Sequence, residues 1–209
     1  MNDINEYKYI PFVEIELRLG TLGNKFDPSV DCEYFNKIFK ALNNYKKWVN
    51  VEKTMWVDYF FKDTSTKKKY RKSFLLDEYN NILLDSLLLK EDIYSKDYSV
   101  QNCPFDLRLS IKQEISIKDT ECLLDLEKVD FIRKKYRHSF IMNDYRYDLT
   151  FVTETSNNIT KEKYEIEIEL LLNEENLKWS PEYTIDFLVS KFKDLACIVE
   201  QIDELKINF

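Results

Sequence analysis

The stretch Lys163–Leu172, KYEIEIELLL, leaves a chain few ways to fold. In a strand, side chains alternate between faces, so Glu165, Glu167 and Glu169 share one face while Ile166, Ile168 and Leu170 share the other. Three carboxylates in a row repel one another, which costs stability. Such a stripe survives where water screens it on a half-exposed strand, or where cations sit opposite it. Phe12–Leu19, FVEIELRL, repeats the pattern near the other end of the chain, with Glu14, Glu16 and Arg18 against Val13, Ile15, Leu17 and Leu19.

Two scarcities narrow the chemistry more than any abundance does. Gly20 and Gly23 are the only glycines, too few for a phosphate-cradling loop or a dinucleotide fingerprint. His138 is the only histidine, so multi-histidine metal sites are excluded, and Ser139 after it leaves no cysteine-phosphatase signature. Cys32, Cys103, Cys122 and Cys197 form no close pair, which argues against zinc spacing and a disulfide framework and for reduced intracellular thiols. Any catalysis here must rest on carboxylates, Lys and Arg, with a metal ion the obvious third party. The 209 residues suffice for one substantial domain, and a net charge of −7 argues against a general polyanion-binding surface while allowing a local basic pocket. The N-terminal MNDINEYKYI lacks the basic start and apolar run of a signal peptide, and no apolar run is long enough to span a bilayer.

The rest of the chain alternates repeatedly. Pro28–Tyr45 carries Phe35, Ile38, Phe39, Leu42 and Tyr45 at helical spacing, with Ser29 or Asp31 as N-cap. Met55–Lys62 and Lys69–Leu76 suit a strand pair joined by the turn 63–68, with Asp58 inside the first and Lys69, Arg71 and Ser73 on one face of the second. Asn81–Ile93 fits a helical turn followed by a strand containing Lys90, and Tyr94–Pro104 is expected to be irregular. Asp106–Ile117 places Asp106, Arg108, Ser110, Lys112 and Glu114 on one face. Phe131–Ile141 does the same with Arg133, Lys135 and Arg137, and Tyr145–Val152 with Arg146, Asp148 and Thr150. A loop is expected over 153–160, and Ser180-Pro181-Glu182 opens a helix whose apolar stripe runs from Ile185 to Ile202.

Several charged faces lean to one sign: acidic at Glu14 and Glu16 and at Glu165, Glu167 and Glu169, basic at Arg133, Lys135 and Arg137 and at Arg108 and Lys112. A plain solvent-facing sheet mixes signs along a strand, because mixing lowers repulsion. Segregation makes sense if the charged faces look at each other across an enclosed space. A closed antiparallel barrel supplies one and sends the apolar faces outward, where two amphipathic helices can cover them. Hard divalent cations such as Mg²⁺ or Mn²⁺ take carboxylate and phosphate oxygens, while clustered Arg and Lys neutralise phosphate. An acidic wall, a basic wall and a metal between them describe a site for a polyphosphate.

The pair VEIELRLG (13–20) and YEIEIEL (164–170) resembles the two glutamate motifs of the metal-dependent RNA 5′-triphosphatases of mRNA capping in fungi, protozoa and large DNA viruses. These belong to the triphosphate tunnel metalloenzymes. FIRKKYRHSF (131–140) followed by YRYDLTF (145–151) is similar to the family's basic strand and its Arg-x-Asp-x-Thr strand, and DLRLSIKQE (106–114) and KYRKSF (69–74) to two further tunnel strands. The resemblance implies a mainly β (α+β) fold: a closed, eight-stranded antiparallel barrel with a hydrophilic lumen over about 12–172, and a C-terminal helix over about 181–205, in one domain. It also implies that Glu14, Glu16 and Glu169 bind Mg²⁺ or Mn²⁺. Arg71, Lys90, Arg108, Arg133, Lys135, Arg137 and Arg146 contact the triphosphate on the same basis. Glu114 orients the attacking water, Glu165 and Glu167 hold basic side chains or waters, and Asp148 fixes a neighbouring Arg with support from Thr150.

The implied substrate is triphosphate-ended RNA, and the implied setting is intracellular, with no membrane. The first motif ends in Arg18, where the adenylate-cyclase and thiamine-triphosphatase branch has Lys. No Lys-x-Asp-Gly nucleotidyl motif exists, so a capping guanylyltransferase would be a separate subunit or another domain of a longer protein. Two rivals remain: a tunnel enzyme for free nucleoside triphosphates or inorganic tripolyphosphate, and a non-catalytic anion-binding or scaffold module.

Overall fold

The computed structural model describes residues 4–62, 68–117, 129–200 and 206–207. A short helix α1 (Ile4–Tyr7) leads into β1 (Val13–Leu22), β2 (Phe26–Asp27) and helix α2 (Cys32–Asn44). Then follow β3 (Asn50–Lys62), β4 (Lys69–Leu76), β5 (Ile82–Tyr98), β6 (Val100–Gln101) and β7 (Asp106–Ser116). The remaining strands are β8 (Val129–Ile141), β9 (Tyr145–Ser156), β10 (Ile159–Leu170) and β11 (Lys206–Ile207), with helix α3 (Pro181–Val199) before the last.

The main sheet runs β10-β9-β8-β3-β4-β5-β7-β1-β2, and β10 also pairs with β1. Every pairing in it is antiparallel. Without the two-residue β2, the eight remaining strands close on themselves, which is the barrel expected from the alternating faces. Closure removes the sheet edges that would otherwise stay unpaired.

Alternation sends the apolar side chains of β1, β7, β9 and β10 outward, under the two long helices. Ile15, Leu19, Leu107, Ile111, Leu149, Ile166 and Ile168 are buried there against Ile38, Leu188, Phe192 and Leu195. Each such side chain taken from water contributes about 1.5–3 kcal/mol. The helices begin where the sequence marks them. Asp31 caps α2 by accepting from the Glu33 N–H at 2.7 Å, and Ser180 caps α3 by accepting from the Tyr183 N–H at 3.2 Å, ahead of Pro181.

Several boundaries differ from expectation. Asn81–Ile93 contains no helical turn, and Tyr94–Pro104 is not irregular throughout, because β5 continues unbroken from Ile82 to Tyr98. Its leucines do not alternate with polar residues because Leu83 and Leu84 are both exposed at the strand's start, where neither face is covered. The loop expected over 153–160 is a two-residue hairpin: Ser156 pairs with Ile159, and Asn157 (φ 50°) and Asn158 (φ 63°) supply the left-handed turn that joins twisted strands. The C-terminal helix ends at Val199, and 201–205 lie outside the described residues, as do most of the turn 63–68 and Cys122. Gly20 has a specific use: a Cβ there would meet the Asp27 carbonyl at 2.2 Å and the Phe26 ring at 2.6 Å, so only glycine lets β2 fold back across the barrel end.

Candidate active site

The inward face of the barrel encloses a cavity of about 460 Å³. Eight carboxylates line it (Glu14, Glu16, Glu52, Asp58, Glu114, Glu165, Glu167 and Glu169), and eight cations face them (Arg18, Arg71, Lys90, Lys112, Arg133, Lys135, Arg137 and Arg146). Backbone register fixes the arrangement. Glu16 lies opposite Glu169 and Arg18 opposite Glu167 where β1 meets β10, so the two acidic strands form one continuous arc. Next to it on β9, Arg146 faces Glu169, Asp148 faces Glu167 and Thr150 faces Glu165. Basic β8 follows, with Arg137 opposite Thr150.

Nearly every charge is already engaged. Glu165 pairs with Arg133, Asp58 with Lys135, and Glu16 with Lys112 and, at 2.9 Å, with Arg18. Glu167 takes Arg18 at 2.6 Å and Arg137 at 3.2 Å. Glu169 holds Arg146 at 2.6 Å, and Glu114 holds Lys90 at 2.6 Å and Arg71 at 2.9 Å. Asp148, fully buried, accepts from Arg137 at 2.8 Å and from Ser139 at 2.6 Å, and Thr150 accepts from Arg137 at 3.1 Å. Three arginine donors are left over: the buried Nε–H groups of Arg71, Arg133 and Arg146 make no hydrogen bond, although carboxylates of Glu154 and Asp148 lie 3.5 and 3.1 Å from the last two. Buried donors without acceptors are costly, and a polyanion would satisfy them.

The carboxylates differ in how well they are neutralised. Burial pushes Glu169 up to about 8; Arg146 opposes the rise, and nearby Glu14, Asp148 and Glu16 reinforce it. Burial also raises Glu14, helped by Glu114. Glu16 and Glu167 are buried as well, which alone would raise them, yet Arg18 and the other cations hold both below the ordinary range. Burial lowers the Lys135 ammonium to about 8 in spite of Asp58. The end of the acidic arc around Glu14 and Glu169 is therefore short of positive charge, while on the far wall Lys135 stays paired with Asp58.

Of the residues singled out from sequence, Glu14, Glu16, Arg71, Lys90, Glu114, Arg133, Lys135, Arg137, Arg146, Glu165, Glu167 and Glu169 converge on the cavity, with buried Asp148 behind Arg137 and Arg146. Arg108 does not. It shares the face of Lys112 and Glu114 but sits at the barrel end, where Asp97 accepts from it at 2.6 and 3.0 Å and its guanidinium lies 4.6 Å over the Phe26 ring. The sequence assigns no role to Arg18, Lys112 and Asp58, yet all three line the cavity: Arg18 and Lys112 pair with Glu16, and Asp58 pairs with Lys135. Their strand phase was the available signal. His138 points the other way and packs edge-on against Phe39 of α2, 4.9 Å between ring centres.

A closed tunnel with carboxylates and cations inside defines a class, and comparison with known proteins agrees. The sequence matches the family described as mRNA capping enzyme, beta chain, over residues 25–180. The chain belongs to this family, whose members are RNA triphosphatases, hydrolases that remove the γ-phosphate from the 5′ end of RNA. No curated protein sequence matches the chain. Among solved structures, it is similar to the S. pombe Pct1 RNA triphosphatase, with 18% identity, TM-score 0.74, and 93% of this chain and 90% of that chain covered. The same protein in complex with the Spt5 CTD gives TM-score 0.73 at 18% identity, covering 93% and 91%. The RNA triphosphatase domain of a trifunctional mimivirus mRNA capping enzyme gives TM-score 0.66 at 17% identity, covering 95% and 96%. These likenesses are of fold, the triphosphate tunnel. The family match begins after β1; the pairing of β1 with β10 is what brings Glu14 and Glu16 beside Glu169.

Proposed function

We infer that this chain removes the γ-phosphate of triphosphate-ended RNA inside the barrel, leaving the diphosphate end that a guanylyltransferase, as a separate subunit or another domain, would cap. The observation that carries the reading is the closed chamber in which the acidic arc of β1 and β10 and the basic side chains of β4, β5, β8 and β9 point at the same space. Arg71, Lys90, Arg133, Lys135, Arg137 and Arg146 neutralise the phosphate oxygens, the arginines with paired donors. Glu114, fixed by Arg71 and Lys90, orients the attacking water. Water attacks the terminal phosphorus, the bond to the β-phosphate oxygen breaks, and inorganic phosphate leaves. Positioning and charge stabilisation account for most of the acceleration in such a transfer. Glu165, Glu167 and Asp148 act through Arg133, Arg137 and Arg146, which they hold in place. Arg108, engaged by Asp97 and Phe26 at the barrel end, supports the wall instead of the substrate.

Tunnel triphosphatases depend on a divalent metal. Glu14, Glu16 and Glu169 fit one by donor chemistry: neighbouring carboxylates on paired strands, two of them raised by burial and crowding, suit a hard cation such as Mg²⁺ or Mn²⁺. Among the described residues no three such groups converge as a preformed cage, since each is drawn to a basic neighbour. When bound, the metal would neutralise charge on the transferred phosphoryl group. Phosphate release from triphosphate RNA, nucleoside triphosphate and tripolyphosphate, with Mg²⁺, with Mn²⁺ and with chelator, tests the assignment. RNA is expected to be the best substrate, and release is expected to vanish with chelator. Preference for tripolyphosphate would favour a general polyphosphatase, and binding without release a non-catalytic module.

A further inference from the structure

Two of the three tryptophans are packed among helices and aromatic rings. Trp48 donates its indole N–H to the Leu42 carbonyl at 2.8 Å and lies edge-on to Tyr147, and Trp179 packs on Tyr183 and Phe187. Trp56 is different. It is half-buried on the inward face of β3, lines the cavity, and among the described residues has neither a ring partner nor a hydrogen bond for its N–H. Phe60, the other aromatic lining residue, is already stacked on Phe131, with 4.4 Å between centres and 13° between planes. An unpartnered indole among charges presents an apolar plane and a free donor, the combination that suits a ligand flat on one side and polar at its edge.

Its position says which part of a ligand. Trp56 lies directly opposite Lys135 in the β3–β8 register, one strand spacing of about 4.8 Å away. On its other side it faces Leu75 of β4, which faces Leu84 of β5. Directly opposed residues share a sheet face, so Trp56, Leu75 and Leu84 form an apolar ledge across three strands of the inward face, beginning beside Lys135 and ending at Leu84, which is 51% exposed.

We propose that this ledge is a nucleobase subsite: Trp56 stacks the base of the first nucleotide of a triphosphate-ended strand, while the phosphates lie against Lys135 and its neighbours. The assignment rests on the polyphosphate reading of the cavity and adds what that reading lacks, a reason for a nucleotide to be preferred over bare tripolyphosphate. Every base has a π-face, so the subsite selects nucleotides without selecting sequence.

The test is binding, read by tryptophan fluorescence on the whole chain with Mg²⁺. The probes are adenosine 5′-β,γ-imidotriphosphate and, as the control without a base, inorganic tripolyphosphate. The adenosine probe is expected to quench emission beyond tripolyphosphate, and the excess to disappear in Trp56→Phe. Trp56→Phe keeps a stacking ring and retains affinity for the nucleotide. Trp56→Ala loses about tenfold more affinity for the nucleotide than for tripolyphosphate. Equal quenching by both probes in the unmodified chain, or equal weakening of both by Trp56→Ala, overturns the subsite. Because no turnover is read, a failure of hydrolysis would sink the activity without touching this result, and the reverse holds as well.

Discussion

Ile168 and Glu169 are chain neighbours on one strand, and they belong to two regions built on opposite principles. Ile168 is fully buried under the helices, in an apolar layer whose stability comes from surface removed from water. Glu169 faces the cavity, where buried ion pairs barely offset the cost of desolvating them. The outer layer holds the barrel shut, and the inner layer is kept in a state that a polyanion and a cation would improve. A substitution should thus report on stability or on chemistry according to the parity of its position.

The largest expected effect tests that parity at adjacent residues. Glu169→Gln and Glu16→Gln should each lower phosphate release by more than about a hundredfold, since even groups that only support a metal ligand cost ten- to a hundredfold. For Glu169→Gln, whose carboxyl burial already pushes toward the neutral form, circular dichroism and melting should stay close to the parent. Ile168→Ala should do the reverse, losing about 2–5 kcal/mol in denaturant unfolding while the folded fraction keeps its turnover. If Glu169→Gln unfolds the chain and retains activity per folded molecule, the division between the layers fails.

Next in size is Arg137→Lys. It keeps the charge but loses the fork that reaches Asp148, Glu167 and Thr150 together. KM for the triphosphate should rise about tenfold, with kcat falling as well. Lys135 then provides a pH signature. Its ammonium, held to about 8 by burial, loses charge as the pH rises through that value, so kcat/KM should fall on the alkaline side with a limb near 8. Lys135→Arg should move the limb to higher pH. The sign for stability is opposite: between about 8 and the ordinary lysine value of 10.5 the unfolded chain binds more protons, so folding stability gains with rising pH in that window. The smallest effect belongs to the outer layer: Ser180→Ala, removing the cap of α3, should cost about 1 kcal/mol and leave turnover as it was.

The strand faces were legible because period two is strict. Glu14 and Glu16, Arg133 to Arg137, and Glu165 to Glu169 all lie on the side their spacing assigns. Alternation gives the face but not the depth along the barrel, which is why Arg108, in phase with Lys112, falls at the barrel end beside Phe26. Partners were illegible for a related reason. That Glu16 meets Lys112 and Asp58 meets Lys135 depends on register between strands distant in sequence, and only the closed sheet sets it. The hairpin at Asn157-Asn158 left a signal in its two asparagines, whereas β5 left none, since its leucine run satisfies helical and strand spacing equally.

A crystal structure with tripolyphosphate and Mn²⁺ tests the central proposition most directly, because manganese is visible by its anomalous scattering. The expected result is metal beside Glu14, Glu16 and Glu169, and phosphates against Arg71, Lys90, Lys135, Arg137 and Arg146, all inside the barrel. Polyphosphate bound on the outer surface, with the lumen ion pairs undisturbed, would contradict it.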